Sequence, residues 1–179
     1  MDNSLYAFCD QDDVWNSEKI SRAVEKIQKS PNLSMTLYFS RVVRVDAKLK
    51  LLHLSSISKY ISIGNAVCEL ALLGCSTVFG REIKQMLTKG NPNNMIGYDW
   101  WIYLLATAFE HVIYDKEPQI LYRIHDGNTS FSRSGFMLFK FKFKEFLEKL
   151  TKKKRDFDFL CQAKKFTETY DFISAENKK

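Results

Sequence analysis

Short apolar runs alternate with amphipathic stretches along most of this chain. Residues 5–9 and 35–45 have the composition of buried strands, the second rich in Thr, Tyr, Phe and Val. Between them, apolar residues at positions 20, 23, 24 and 27 recur with the spacing of one helical face, which predicts a helix over 17–29. Strands that alternate with helices in this way predict the α/β fold class.

The remainder of the chain continues this pattern with shorter elements. The predicted helices are 66–73, 82–88, 100–109, 136–150 and 156–173. The predicted strands are 77–79, 112–114 and 119–124, the last two on either side of Pro118. Polar residues predict loops over 89–96 and 125–134, and residues 48–63 are ambiguous between helix and strand.

Three carboxylates follow the first strand within four positions, at Asp10, Asp12 and Asp13. Like charges this close repel one another unless a cation or hydrogen-bond donors neutralise them. A divalent metal at the strand end would do so, because hard cations prefer oxygen ligands. The alternative is a structural acidic turn that caps the next helix; capping accounts for Asp13 but not for Asp10 and Asp12.

Length and composition indicate one folded domain, or one domain with an appendage. The 179 residues are 45% hydrophobic, with seven Gly and three Pro, which is enough to bury a core. Cys9 and Cys75 lie in apolar runs and are expected to be buried free thiols, which suits a reducing cytoplasm. The first residues lack the basic start of a secretory signal, and no apolar run approaches the roughly 18 residues of a membrane span.

The net charge of +6 is concentrated near the C-terminus. Residues 133–165 hold eleven Lys or Arg against four acidic residues, and Phe side chains recur there on one helical face. Residues 136–155 therefore predict a basic amphipathic helix that contacts an anionic membrane at its inner face. The alternative is a helix packed on the domain with a solvated basic face. Nucleic acid is not an expected partner, because no binding motif accompanies the basic residues.

Four blocks, in this order, resemble family 2 glycosyltransferases of the GT-A fold, in particular the bacterial rhamnosyltransferase-like branch. Asp-Gln-Asp-Asp-Val-Trp at 10–15 resembles the DxD region, and Gly74 to Arg81 resembles the acceptor-side Gly-x-Thr segment. Residues 98–101 and 122–129 resemble the His-Asp-Trp-Trp and Tyr-Arg-x-His-x-x-Asn blocks, with Tyr98 where the family commonly has Glu or His. The resemblance covers residues 4 to 132.

The resemblance implies metal-dependent, inverting sugar transfer from a nucleotide-sugar to a glycan or lipid-linked acceptor in cell-surface polysaccharide synthesis. It implies Mg²⁺ or Mn²⁺, with Asp12 as a direct ligand, Asp10 at the ribose or a metal-bound water, and His125 as a third ligand. Arg123 would pair with the donor phosphate. The alternative for His125 is a loop histidine bonded to the backbone.

Asp99 is the general base that the resemblance implies, taking the proton of the acceptor hydroxyl. It opens a predicted helix, so it could equally be an ordinary N-cap. Gly74, Trp100 and Trp101 are the implied acceptor-side residues. One of the two tryptophans is expected in the core and the other near the site. For Gly74 the alternative is a tight turn between helix and strand.

A GT-A domain places a nucleotide-binding βαβ half before its DxD region, and no such half precedes residue 10. The expected architecture is therefore an incomplete GT-A fold over 1–132, which lacks that half, with a basic helical extension over 133–179. A further chain supplying the missing half, or self-association through an uncovered sheet edge, is expected. The alternative function is a non-catalytic remnant or subunit that binds acceptor, membrane or a partner chain.

Overall fold

The computed structural model describes residues 4–56, 60–90, 97–125 and 164–169. They form a mixed α/β domain, which confirms the predicted fold class. The strands are β1 Leu5–Ala7, β2 Val14–Trp15, β3 Leu37–Val45, β4 Leu51–Leu54, β5 Thr77–Gly80 and β6 Val112–Arg123. The helices are α1 Lys19–Gln28, α2 Ile63–Cys68, α3 Arg81–Lys89 and α4 Tyr98–Ala108, with 3₁₀ turns at Leu33–Met35 and Gly74–Ser76. Residues 164–169 are also helical.

The six described strands make one sheet in the order β1-β5-β3-β6-β2, with β4 attached to β3. β3 and β6 run parallel, and the other pairs are antiparallel. One edge of β3 serves two partners, because β5 pairs with residues 37–39 and β4 with residues 43–45. The β3–β4 hairpin therefore extends past the point where β5 has separated from β3.

Side chains alternate across β3, and the two faces of the sheet bury different helices. Tyr38 packs with Ala23 and Ile27 of α1 on one face. Leu37 and Phe39 pack on the other face in the main core, which contains most of α4. The helix α4 is buried from Trp101 through Thr107, so it lacks a wide polar face. The domain thus has helices on both faces of its sheet.

Three predicted elements differ from the structure. The predicted strands at 112–114 and 119–124 are one strand, β6. Pro118 does not interrupt it, because Pro118 lies where the pairing register with β3 shifts and no ladder hydrogen bond is needed. The predicted helix at 66–73 instead spans Ile63–Cys68, and residues 69–73 are irregular. The ambiguous segment 48–63 contains β4 and the first residue of α2.

The basic extension is described only in part. Residues 164–169 are helical, in agreement with the helix predicted over 156–173. Phe166 is buried against Trp101, with ring centroids 5.4 Å apart. The predicted helix at 136–150, the membrane-contacting segment 136–155 and most of the loops at 89–96 and 125–134 lie outside the described residues.

Within the described part of the chain, no helix has both the length and the apolar character needed to cross a membrane.

Candidate functional site

The acidic turn between β1 and β2 folds toward the 3₁₀ turn that begins at Gly74. One carboxylate oxygen each from Asp10 and Asp13 and the thiol sulfur of Cys75 all lie within 4.8 Å of one another. Burial raises the pKa of both carboxyl groups. It also raises the pKa of the Cys75 thiol well above its usual range, so this thiol stays protonated. The turn therefore holds two partly buried carboxylates beside a neutral thiol.

Asp13 is held by a residue 110 positions away in the sequence rather than by the helix that follows it. Its Oδ1 accepts a hydrogen bond of 3.0 Å from the backbone N–H of Arg123. The predicted helix-capping role of Asp13 is wrong: the N-cap of α1 is Glu18, which makes no side-chain cap, and Asn16 Oδ1 accepts from the Glu18 N–H at 3.1 Å. Asp13 is therefore a member of the site.

Asp12 and His125 form a pair beside this group. Nε2 of His125 lies 2.7 Å from Oδ2 of Asp12, and this hydrogen bond holds the pKa of Asp12 below its ordinary value. Both side chains are about one-third exposed, so the pair faces solvent. The structure thus brings Asp12 to His125, and Asp10 to Asp13 and Cys75, at one end of the sheet.

Lys19 is a member of the site that the sequence analysis did not single out. Its side chain is 0% exposed, and its Nζ lies 3.2 Å from the centroid of the Trp15 ring. No described residue makes a hydrogen bond to Nζ. Burial lowers the pKa of Lys19 to about 8, while the charges of Asp13 and Asp10 act in the opposite direction. The ammonium is therefore a positive charge that interacts electrostatically with these carboxylates.

The sequence carries no signal for Lys19. Trp15 lies in β2 and Lys19 is the first residue of α1, so the contact rule for residues four apart in a helix does not apply to this pair. A lysine at the start of a helix is usually solvated. Local spacing therefore does not reveal that its ammonium lies under an aromatic ring and near carboxylates.

Asp99 and Gly74 contact each other next to the acidic turn. The Asp99 carboxylate accepts a hydrogen bond of 2.8 Å from the backbone N–H of Trp100, and the backbone N–H of Gly74 is close enough to act weakly on its pKa. Burial raises the pKa of Asp99, and the negative charge of Asp10 adds to the increase. Asp99 is the second residue of α4, whose N-cap is Gly97, so it stabilises the first turn without being the N-cap.

Gly74 allows the Tyr98 side chain to approach the backbone closely. A Cβ atom at this position would lie 2.7 Å from the Tyr98 ring. Tyr98 in turn packs on Phe8, with ring centroids 4.5 Å apart, so the acidic turn and the start of α4 share an aromatic contact. A side chain at position 74 would displace Tyr98 from this contact.

The other implied site residues have mainly structural contacts. Trp101 is fully buried in the core. Trp100 is half-buried, and its Nε1 donates a 2.6 Å hydrogen bond to the carbonyl of Ala66. Nη1 of Arg123 donates to the carbonyl of Ala47 at 3.4 Å. Cys75 is a buried free thiol, as predicted. Cys9 is also a free thiol, but its predicted burial is wrong, because Cys9 follows β1 where the chain turns into solvent.

A cavity of about 230 Å³ lies along β2 and β6, beside Trp15 and Gln119. Another, of about 110 Å³, lies beside Ser40 and Arg44.

Two of the three members of the Asp10–Asp13–Cys75 cluster are ligands of the kind that a hard divalent ion takes. Asp10 and Asp13 offer carboxylate oxygens, which Mg²⁺ and Mn²⁺ prefer. The Asp13 carboxylate is partly buried beside the Cys75 thiol, which acts with the Arg123 N–H to lower its pKa against the effect of burial. The protonated Cys75 thiol is a poor ligand for such an ion. Asp10 and Asp13 are thus the residues that could hold it, with Asp12 and His125 alongside.

No model of a known protein family matches this sequence. A search among curated proteins finds no match either.

Proposed function

We propose that this chain acts in metal-dependent, inverting glycosyl transfer from a nucleotide-sugar to a glycan or lipid-linked acceptor. The observation that supports the proposal is a convergence of four segments: 10–13, 74–75, 98–99 and 123–125. They are linked by the Asp13–Arg123 and Asp12–His125 hydrogen bonds, the Asp10–Asp13–Cys75 cluster and the Gly74–Asp99 contact. The same four segments carry the resemblance to family 2 glycosyltransferases. A purely structural acidic turn would need neither Asp99 nor His125.

The carboxylates on the β1–β2 turn are the proposed metal-holding residues. Asp10 and Asp13 would bind Mg²⁺ or Mn²⁺, which as a Lewis acid would stabilise charge on a leaving diphosphate. The hydrogen bond from the Arg123 N–H holds one oxygen of Asp13 in place. Lys19 reduces the repulsion between the carboxylates before any ligand arrives, which keeps the turn compact.

Asp99 is the proposed base. It would accept the proton of the acceptor hydroxyl as that oxygen forms the new glycosidic bond. The N–H group of Trp100 orients its carboxylate, while burial raises its pKa and so its basicity. The coupling to Asp10 supports a position close to the reacting groups, because the two carboxylates sense each other's charge.

A second function, binding without catalysis, is favoured by Lys19. Its buried ammonium supplies part of the neutralisation that the acidic turn needs, so the turn can be stable without a metal. The chain would then serve as a non-catalytic subunit that binds an acceptor or a partner chain.

Mn²⁺ binding and nucleotide-sugar hydrolysis separate these functions. We expect Mn²⁺ to bind, with a loss of at least tenfold in affinity for Asp13→Asn and unchanged affinity for Asp99→Asn. Hydrolysis of a panel of nucleotide-sugars should require Mn²⁺ and fall about 10²-fold or more in Asp99→Asn. Glu25→Gln, an exposed substitution on α1 with the same charge change, is the control.

Two results would contradict the proposal. If the wild-type protein binds no Mn²⁺, the proposed metal-dependent reaction is refuted. If the protein binds Mn²⁺ but Asp99→Asn hydrolyses nucleotide-sugars as fast as the wild type, Asp99 is not the base. Metal binding without any turnover would favour the binding function.

A further inference from the structure

The β3–β4 hairpin presents a cluster of leucines to solvent. All four residues of β4 are exposed, although a strand in a sheet normally buries one face. The exposed leucines, between 42% and 65% accessible, are Leu49, Leu51, Leu52 and Leu54. We call residues 46–54 the hairpin tip. An apolar cluster of this kind on an otherwise polar surface marks a binding site for a partner or a membrane.

The hairpin tip is an ordered turn. Oδ1 of Asp46 accepts hydrogen bonds of 2.9 Å from the backbone N–H groups of both Lys48 and Lys50. The Asp46 N–H donates to the Lys50 carbonyl at 3.0 Å, which closes the turn. Leu49 has φ of +64°, a left-handed conformation that leucine rarely adopts. The turn thus holds a leucine at its apex at a cost in backbone energy, where glycine or asparagine would fit without it.

The charge of this hairpin is positive. Residues 41–54 contain Arg41, Arg44, Lys48 and Lys50 against a single acidic residue, Asp46. The Asp46 carboxylate is directed into the turn, whereas both lysines are exposed. Leucines flanked by lysines match a bilayer interface, because apolar side chains enter the acyl boundary while ammonium groups stay with lipid phosphates.

We propose that the hairpin tip inserts into the surface of an anionic membrane. The charge argues against a second copy of this chain as the occupant, since two copies related by a two-fold axis would bring their lysines together. An anionic lipid surface offers an apolar layer for the leucines and negative charge for the lysines.

The hairpin tip lies next to the end of the sheet that carries His125. The Ile124 N–H donates to the Val45 carbonyl at 2.8 Å, and Arg123 Nη1 reaches the Ala47 carbonyl. Membrane insertion of the tip would therefore bring the acidic turn close to the bilayer, where lipid-linked acceptors reside. Membrane binding itself does not rest on the proposed glycosyl transfer, and its test measures binding alone.

Vesicle flotation with the full chain tests the proposal. We expect binding to vesicles of equal parts phosphatidylglycerol and phosphatidylcholine, weak binding to phosphatidylcholine alone, and loss of binding with added salt. Replacing Leu49, Leu51 and Leu52 together by Ser should weaken binding on the order of a hundredfold. Lys48→Gln should weaken it about fivefold. Ile20→Ser, an equally exposed apolar position on α1, should leave binding unchanged.

A second readout places the insertion at the tip itself. The Trp fluorescence of Leu51→Trp should shift to shorter wavelength when anionic vesicles are added, and Ile20→Trp should show no such shift. The proposal is overturned if the triple-serine protein binds vesicles as the wild type does. It is also overturned by an unshifted Leu51→Trp signal on bound vesicles, or by a leucine-dependent dimer in sedimentation without vesicle binding.

Discussion

Asp115 is a buried carboxylate whose charge the fold uses for stability. Its side chain, on β6, is only 3% exposed and accepts hydrogen bonds from Arg22 Nε at 2.6 Å and from the buried Tyr38 hydroxyl at 2.9 Å. The Glu117 N–H donates to it at 3.1 Å, and Lys26 Nζ lies 3.5 Å away. These contacts tie α1 to the central pair of strands, β3 and β6.

The lowered pKa of Asp115 reflects how much these contacts stabilise the folded state. Burial by itself would raise the pKa, but the hydrogen bonds from Arg22, Glu117 and Tyr38 outweigh it and lower the pKa from 3.8 to about 2. That difference corresponds to about 2.5 kcal/mol of folding free energy. Because the folded-state pKa lies below the unfolded one, the stabilisation is present above pH 3.8 and is lost as the pH falls through about 2.

We predict that Asp115→Asn lowers the free energy of unfolding by about 2.5 kcal/mol at pH 7. Asparagine keeps an acceptor oxygen for the N–H groups but loses the negative charge that Arg22 pairs with. Urea unfolding followed by Trp fluorescence would show a midpoint lower by about 1 M. Glu25→Gln, which removes an exposed ion pair with Lys29, should cost less than about 0.5 kcal/mol.

The pH dependence of the difference between the two proteins is the decisive measurement. The difference in free energy of unfolding between the wild type and Asp115→Asn should be constant from pH 7 to about 5. It should then shrink toward zero near pH 2. A difference that does not change with pH would show that Asp115→Asn acts through packing and not through charge. Equal stability at pH 7 would refute the role of the Arg22–Asp115 pair.

Further predictions concern backbone packing and the acidic turn. Gly80→Ala should destabilise the fold by about 3 kcal/mol, or about 10 °C in melting temperature, because its Cβ would lie within 2.5 Å of the backbone at Leu33 and Ser34. Gly64→Ala in α2, where the added Cβ would make only an ordinary van der Waals contact of 3.9 Å with Ser62 Oγ, should be neutral or stabilising by about 0.5 kcal/mol. Equal melting temperatures for the two variants would contradict the packing at Gly80. Lys19→Met should raise Mn²⁺ affinity on the order of tenfold in paramagnetic resonance titrations. The substitution removes the lysine ammonium, whose positive charge competes with the metal for the carboxylates. Unchanged or weaker Mn²⁺ binding by Lys19→Met would show that its ammonium does not compete with a metal.

Local sequence pattern determined the elements that bury one regular face. The apolar stripe of α1 and the β-branched and aromatic run of β3 specify their own geometry, because side-chain spacing alone decides which face can be buried. The pattern also singled out the segments 10–13, 98–99 and 123–125 by residue type. Helix ends and short elements, such as α2, were less predictable, since their limits depend on a few contacts.

Tertiary structure decided which of these residues meet. Asp13 pairs with a backbone N–H 110 positions away, and Lys19 turns inward onto Trp15, because β2 joins β6 and closes that end of the sheet. The single strand β6 passes through Pro118 only because the register with β3 shifts there. The exposure of β4 likewise depends on where β5 leaves β3. Each of these outcomes is set by long-range pairing, whose free energy no local window of sequence contains.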